Sequence, residues 1–297
     1  MTGSEQSHTS PATSATIRRA APADAQASGK ICFDAFGTLA AQHGFPADFP
    51  GPEIPIGLLA WMFSHPSFFC VVAERDGRII GSNCMDERMP IAGIGPITIE
   101  TGEQNGSVGR QLMQAVLSRS AERNFAGVRL VQTAYHNRSL ALYAKLGFAV
   151  KEPLACLHGP PLEKILPGYK VRPATIEDVA ACNELCLRVH GHERGGELAD
   201  AISHGTAVVA ERGGAIKAYA SEVGFFGHAV GEETRDVIAL ISAAKEFTGS
   251  GFLLPTRNSV LFRWCLENGL RVTRMMTLMT MGLYNEPAGA YLPSVLF

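Results

Sequence analysis

The residues of this 297-residue chain whose types and spacing could do chemistry lie together between Ile97 and Phe148. Ile97 to Thr101 reads as a strand, Gln104-Asn105-Gly106-Ser107-Val108-Gly109-Arg110 as a glycine-bearing turn, and residues 107–123 as an amphipathic helix. Such a turn aims several unpaired backbone N–H groups and the positive end of a helix dipole at one spot, which makes an anion site. Gly106 and Gly109 leave room for a pyrophosphate to approach the backbone, and Arg110 can add a charge-assisted contact. Farther on, Tyr143 offers a phenol that could give a proton, while Asp86, Glu87, Glu100 and His136 are candidates to take one. Each also has a plainer reading. The glycines suit turn chemistry, Asn137 suits a helix N-cap, Tyr143 suits core packing, and the carboxylates suit a solvated face.

The elements that must position these groups recur. Ile17-Arg18-Arg19 through Asp24 resembles Val171-Arg172-Pro173 through Asp178, and Val-Val-Ala-Glu-Arg occurs at 71–75 and at 208–212, each time before a glycine-containing turn. Ser139-Leu140 to Gly147-Phe148 aligns with Leu261-Phe262 to Gly269-Leu270, two helices closed by a C-terminal glycine. Pro160-Pro161 to Gly168 interrupts the periodicity. The expected organisation is a tail over 1–14, a first copy over 15–160, a linker over 161–168 and a second copy over 169–297. Hairpins beside strand–helix–strand crossovers predict an α+β or α/β fold, each copy a mixed central sheet flanked by helices.

The turn at 104–109 followed by Asn137-Arg138-Ser139-Leu140-Ala141-Leu142-Tyr143-Ala144-Lys145-Leu146-Gly147-Phe148 resembles the GNAT superfamily of acetyl-CoA-dependent N-acetyltransferases, and the whole chain resembles a tandem form of it. One departure is Ser107, which stands where the family usually has its first fixed glycine. The resemblance implies that Gln104, Asn105, Gly106, Ser107, Val108, Gly109 and Arg110 hold the pyrophosphate of acetyl-CoA and that Asn137 contacts its pantetheine or adenosine side. It further implies that Ile99 and Glu100 offer backbone groups to the pantetheine and the acetyl carbonyl, and that Tyr143 protonates the departing thiolate. The base stays open among Asp86, Glu87, Glu100 and His136. The implied reaction is acetyl transfer to a primary amine of a small-molecule or peptide acceptor by direct attack. The alternative is a non-catalytic acyl-CoA-binding or regulatory protein that kept the fold.

In the second copy the matching turn carries Glu232 and Glu233 at the helix entrance, where carboxylates would repel a pyrophosphate, and Cys265 occupies the position of Tyr143. A degenerate second domain is expected. Cys182, Cys186 and His190 share one helical face with Val179 and Leu185 and read as a buried apolar face with surface histidines, so no metal site is assigned. Met275 to Met281 reads as a central strand, and the apolar end, 291–297, is expected to dock against the body or against a partner subunit in a homodimer. With 46% hydrophobic and 18% charged residues the chain is too apolar to be disordered, and 26 basic against 28 acidic residues create no global field for nucleic acid or an anionic membrane. The absence of a long apolar run and of a leader pattern, with seven cysteines at irregular spacing, predicts a cytoplasmic chain with reduced thiols. A Rossmann-type nucleotide module is disfavoured because no glycine-rich turn follows the first strand.

Overall fold

A computed structural model describes residues 14–104 and 107–296. Ser14 apart, the tail predicted over 1–14 lies outside the described residues, as do Asn105 and Gly106. The chain runs β1 (Thr16–Arg19), α1 (Ala25–Gln42), α2 (Glu53–Ser64), β2 (Phe68–Arg75), β3 (Arg78–Asp86), β4 (Ile91–Ile99), α3 (Val108–Glu122), β5 (Gly127–Thr133), α4 (Asn137–Lys145) and β6 (Ala149–His158). There follow β7 (Lys170–Pro173), α5 (Val179–His190), α6 (Gly195–Ser203), β8 (Val208–Arg212), β9 (Ala215–Ala220), β10 (Ala229–Gly231), α7 (Thr234–Ala243), β11 (Phe252–Pro255), α8 (Ser259–Glu267), β12 (Arg271–Gly282) and β13 (Ala290–Leu292).

The repeat read in the sequence is a repeat in space. Val-Val-Ala-Glu-Arg ends β2 and forms β8, and each strand turns back through two residues with positive φ, Asp76-Gly77 and Gly213-Gly214. Two consecutive left-handed residues are what a tight hairpin with the native strand twist demands. Arg18 bonds Asp24 and Glu74 at 2.7 Å each, and Arg172 bonds Asp178 at 2.7 Å and Glu211 at 2.8 Å. The same three-membered ion cluster thus clips the first strand of each half to its neighbour and to the entry of the helix behind it.

The partition of the chain into halves differs from its partition into sheets. One sheet has the order β1-β2-β3-β4-β5-β12-β6-β11, the other β13-β10-β9-β8-β7. β12, from the second half, lies antiparallel between β5 and β6, and β6 in turn pairs with β11. The two halves therefore exchange their last long strands. α3 seals one face of the large sheet through Val108, Leu112, Met113 and Val116, all buried at helical spacing. Each such side chain contributes about 1.5–3 kcal/mol by leaving water. His190 and His192, expected at the surface, are buried instead, His190 with its Nε2 3.2 Å from that of His228.

Candidate active site

β4 and β5 pair in parallel only where Ile91 to Gly93 meet Gly127 to Arg129. Beyond that point β4 stays with β3 as far as Ile99, while β5 stays with β12 as far as Thr133. The strands part and leave a wedge-shaped cleft of about 850 Å³. The amide of Glu100 donates to the Ile80 carbonyl at 2.9 Å, so alternation along the strand turns the amides of Ile97 and Ile99 the other way, toward the cleft.

Two helix N-termini complete the walls. α3 brings Gly109 and Arg110, preceded by Ser107, and α4 brings Asn137, Arg138 and Ser139. Both ends present the same dipole sign to the cleft, although at α4 the amides of Asn137 and Ser139 already donate to the Tyr135 and His136 carbonyls at 3.1 Å each. The Gln104 side chain spans the cleft's rim, donating to the Ile99 carbonyl at 3.3 Å and accepting from Arg138. At Gly109 a Cβ would lie 2.9 Å from the Ile99 Cδ1, so the glycine lets the helix start close on the strand edge. Among the described residues no carboxylate lines this space. Thr98 Oγ1 and Gln132 Nε2 are buried in its lining without a hydrogen-bond partner, a state that a polar ligand would relieve.

Tyr143 lies on the second turn of α4, only 6% exposed, its ring edge-on to Phe148 at 6.2 Å. Burial pushes its phenol well above the usual value, so it keeps its proton at neutral pH. His136 lines the cleft just before α4, and burial, then Arg138 and His43, lower its pKa below the usual 6.5. It is therefore neutral at pH 7 and able to accept a proton.

The opposite wall is the C-terminal half of α1, with Phe36, Leu39 and His43. Tyr135 faces it, stacked on Phe45 at 4.3 Å and 6° and tilted against His43 at 4.9 Å. Phe45 belongs to the loop after α1, which is held from the second half. Arg274 of β12 bonds Asp48 and donates to the Pro46 carbonyl at 3.2 Å.

The fold thus gathers Ile99, Gln104, Ser107, Gly109, Arg110, Asn137 and Tyr143 around one cleft. Val108 begins the helix but turns its side chain into the core. Asn105 and Gly106 fall outside the described residues. Two carboxylates depart from the sequence reading. Glu87 does not line the cleft and binds Arg119 at 2.7 and 3.1 Å, and Glu100 is held by Arg78 at 2.6–2.7 Å. Asp86 is likewise bound to Arg88. Of the four candidate bases only His136 faces the cleft, because alternation and ion pairing turn the others elsewhere. The α1 wall, Tyr135 and Gln132 carried no motif; the aromatic and amide run from Gln132 to His136 just before α4 was the one available hint.

The second half closes the equivalent wedge. β13 pairs with β10 through Ala229↔Leu292, Val230↔Tyr291 and Gly231↔Ala290, and all three β13 residues are buried. At the start of α7, Asp236 caps the Glu233 amide at 2.8 Å and accepts the Tyr169 hydroxyl at 2.6 Å. The end of the chain then runs back to the first half, where Leu296 packs with α2. Among the described residues no helix is long and apolar enough to cross a membrane.

The family model described as "Acetyltransferase (GNAT) family" matches residues 38–148. Among solved structures, the "Putative Acetyltransferase" of Pyrococcus horikoshii is 17% identical, covers 97% of this chain and 98% of its own, and superposes with a TM-score of 0.73. A GCN5-related N-acetyltransferase from Sphaerobacter thermophilus is 15% identical over 92% of this chain and 96% of its own, with a TM-score of 0.58. A tandem GNAT protein from the clavulanic acid biosynthesis pathway is 15% identical over 91% and 98%, with a TM-score of 0.55. At these identities the likeness establishes the fold. No curated protein matches the chain.

Proposed function

We propose, from the premise that residues 38–148 form a GNAT acetyltransferase domain, that the protein transfers an acetyl group from acetyl-CoA to a primary amine by direct attack in the cleft between β4 and β5. The observation that carries this reading is the composition of that cleft: an open strand edge, two converging helix N-termini, cations without carboxylates, and a buried phenol on the adjoining helix.

The residues present fit the cosubstrate. Amides at the start of α3, Ser107 and Arg110 would hold the diphosphate, with Asn137 and Arg138 closing on it from α4. Ile97 and Ile99 would pair their amides with the pantetheine and the acetyl oxygen, as a neighbouring strand would, and a fixed N–H stabilises charge that develops there. Bound in this way, acetyl-CoA supplies an activated acyl carbon and a thiolate leaving group. Tyr143 donates a proton toward the departing sulfur, and His136 takes one from the attacking nitrogen.

Two measurements test the reading. Saturating acetyl-CoA raises the melting temperature, since a ligand present at ~100 times its Kd and binding only the native state adds about 2.7 kcal/mol. Tyr143→Phe keeps that shift but slows thiol release by about 100-fold, the lower range for a lost general acid. An unchanged rate removes Tyr143 from the mechanism. A melting shift without thiol release from any amine supports the non-catalytic acyl-CoA binder, and no shift at all removes both.

A further inference from the structure

The acceptor end of the cleft has a chemistry of its own. The charged side chains that line the cleft are Arg110 and Arg138, both at the helix N-termini where a diphosphate would sit. What remains toward α1 includes Phe36, Thr38, Leu39, Gln42, His43 and Tyr135, none of them acidic. Three carboxylates near the cleft but not lining it are committed elsewhere: Asp48 to Arg274, Glu100 to Arg78 and Glu103 to Arg75. Among the described residues no carboxylate lines this end of the cleft to balance a second positive charge.

His136 stands at this end of the cleft with two basic neighbours, Arg138 and His43. Its protonated form is disfavoured by burial, by Arg138 and by His43. Any other cation placed beside it meets the same terms, and an ammonium ion removed from water without a carboxylate loses several kcal/mol. A flat apolar group meets the opposite. The Tyr135 ring, backed face-to-face by Phe45 and flanked by His43, borders the cleft as a rigid aromatic wall, and an offset stack on such a ring is worth about 0.5–1.5 kcal/mol beyond the area buried.

We infer that the acceptor is an uncharged aromatic amine, its ring stacked against Tyr135 and its nitrogen directed toward the inner end of the cleft near Tyr143. This rests on the acetyl-transfer reading above. An amine bonded to an aromatic ring is neutral at neutral pH because its lone pair is shared with the ring, so it enters without a counter-ion. In the transfer the nitrogen lone pair forms the N–C bond and the C–S bond breaks with its electron pair on sulfur. Sulfur takes a proton from Tyr143, nitrogen gives one to His136, and proton return from His136 to Tyr143 through water leaves an amide, a thiol and the starting protein.

The test is a comparison of acceptors on the full chain with acetyl-CoA at neutral pH, read by thiol release and by mass of the acetylated product. The amines are p-anisidine, spermidine and Nα-acetyl-lysine amide. The expected result is a kcat/KM for p-anisidine at least about tenfold above the other two, the discrimination that about 1.4 kcal/mol provides. Tyr135→Leu raises the p-anisidine KM by about three- to tenfold, Tyr135→Phe restores it, and the melting shift with acetyl-CoA is kept in both. Spermidine or the lysine amide turning over as well as p-anisidine overturns the inference, and so does an unchanged KM in Tyr135→Leu. A melting shift with acetyl-CoA but no turnover of p-anisidine also overturns it while leaving the cofactor half of the reading intact. Loss of the melting shift in the unaltered chain brings down the acetyl-transfer reading itself.

Discussion

Arg274 is where the second half reaches the acceptor side of the first. Its side chain is 1% exposed and its partner Asp48 12%, so the pair is held out of water, and the Pro46 carbonyl accepts a further bond at 3.2 Å. Arg274→Met keeps the apolar stem and strands the carboxylate. Removing one partner of a buried pair costs about 3–5 kcal/mol. At a typical unfolding entropy for a chain of this length, that lowers the melting temperature by about 5–8 °C. Burial already pushes the Asp48 carboxyl above its ordinary value, with Arg274 opposing. Without the guanidinium the folded form holds its proton to still higher pH. A carboxyl whose folded pKa is raised favours folding at low pH, and that contribution is lost as pH rises through the folded pKa. The deficit of the variant is therefore smaller in mildly acidic buffer than at neutral pH, and adding Asp48→Asn recovers part of it by removing the stranded charge. The loop that carries Phe45 loosens, so the acceptor KM rises while acetyl-CoA affinity holds. The assays are thermal melting at two pH values and steady-state kinetics in each substrate. Arg271→Met, an exposed position on the same strand, is the control and changes stability by less than about 0.5 kcal/mol. A drop of under ~2 °C for Arg274→Met, or acetyl-CoA affinity falling with acceptor affinity, refutes the assignment of Arg274 as a positioning residue.

Two further outcomes follow from the same geometry. Because the pKa of His136 lies below 6.5, thiol release falls only in an acid limb below that value, where the base becomes protonated. His136→Gln abolishes the limb, and a limb centred at or above 6.5 contradicts the burial argument. Because β12 fills the place between β5 and β6, a chain ending at residue 160 leaves both strands with an unpaired edge. It should lose the cooperative melting transition and the acetyl-CoA shift; a cooperative, ligand-stabilised melt of the fragment would show that the first half stands alone.

What the sequence reveals here is local, and what it conceals is pairing between distant segments. The turn before α3 and the helix bearing Tyr143 are legible because each lies within one short window whose glycine placement and helical periodicity are self-contained. The repeated segment that carries two members of the ion cluster is legible for the same reason, since Arg18 and Asp24, like Arg172 and Asp178, are six positions apart, whereas Glu74 and Glu211 join from distant strands. β12 is equally legible as a strand, but nothing in Met275 to Met281 states that its neighbours are β5 and β6. Strand partners are chosen by the closure of the whole sheet. Glu87 and Glu100 show the same limit at one residue: a carboxylate near a motif is a candidate base until a distant arginine, Arg119 or Arg78, is found to hold it.

The two wedges differ in what completes them. Wherever a strand such as β4 parts from its neighbour, it leaves a row of backbone donors and acceptors without partners, and such an edge is unstable unless something pairs with it. In the second half the protein supplies that partner from its own chain: β13 takes the edge of β10, and Asp236 occupies the anion position at α7. In the first half no described segment pairs with β4 beyond Gly93 on its β5 side, and the helix N-termini beside it carry Arg110 and Arg138 in place of acids. The partner that satisfies this edge must therefore be extended, able to hydrogen-bond like a peptide along part of its length, and anionic where α3 begins. A pantetheine arm joined to a diphosphate, the cosubstrate proposed above, meets all three requirements.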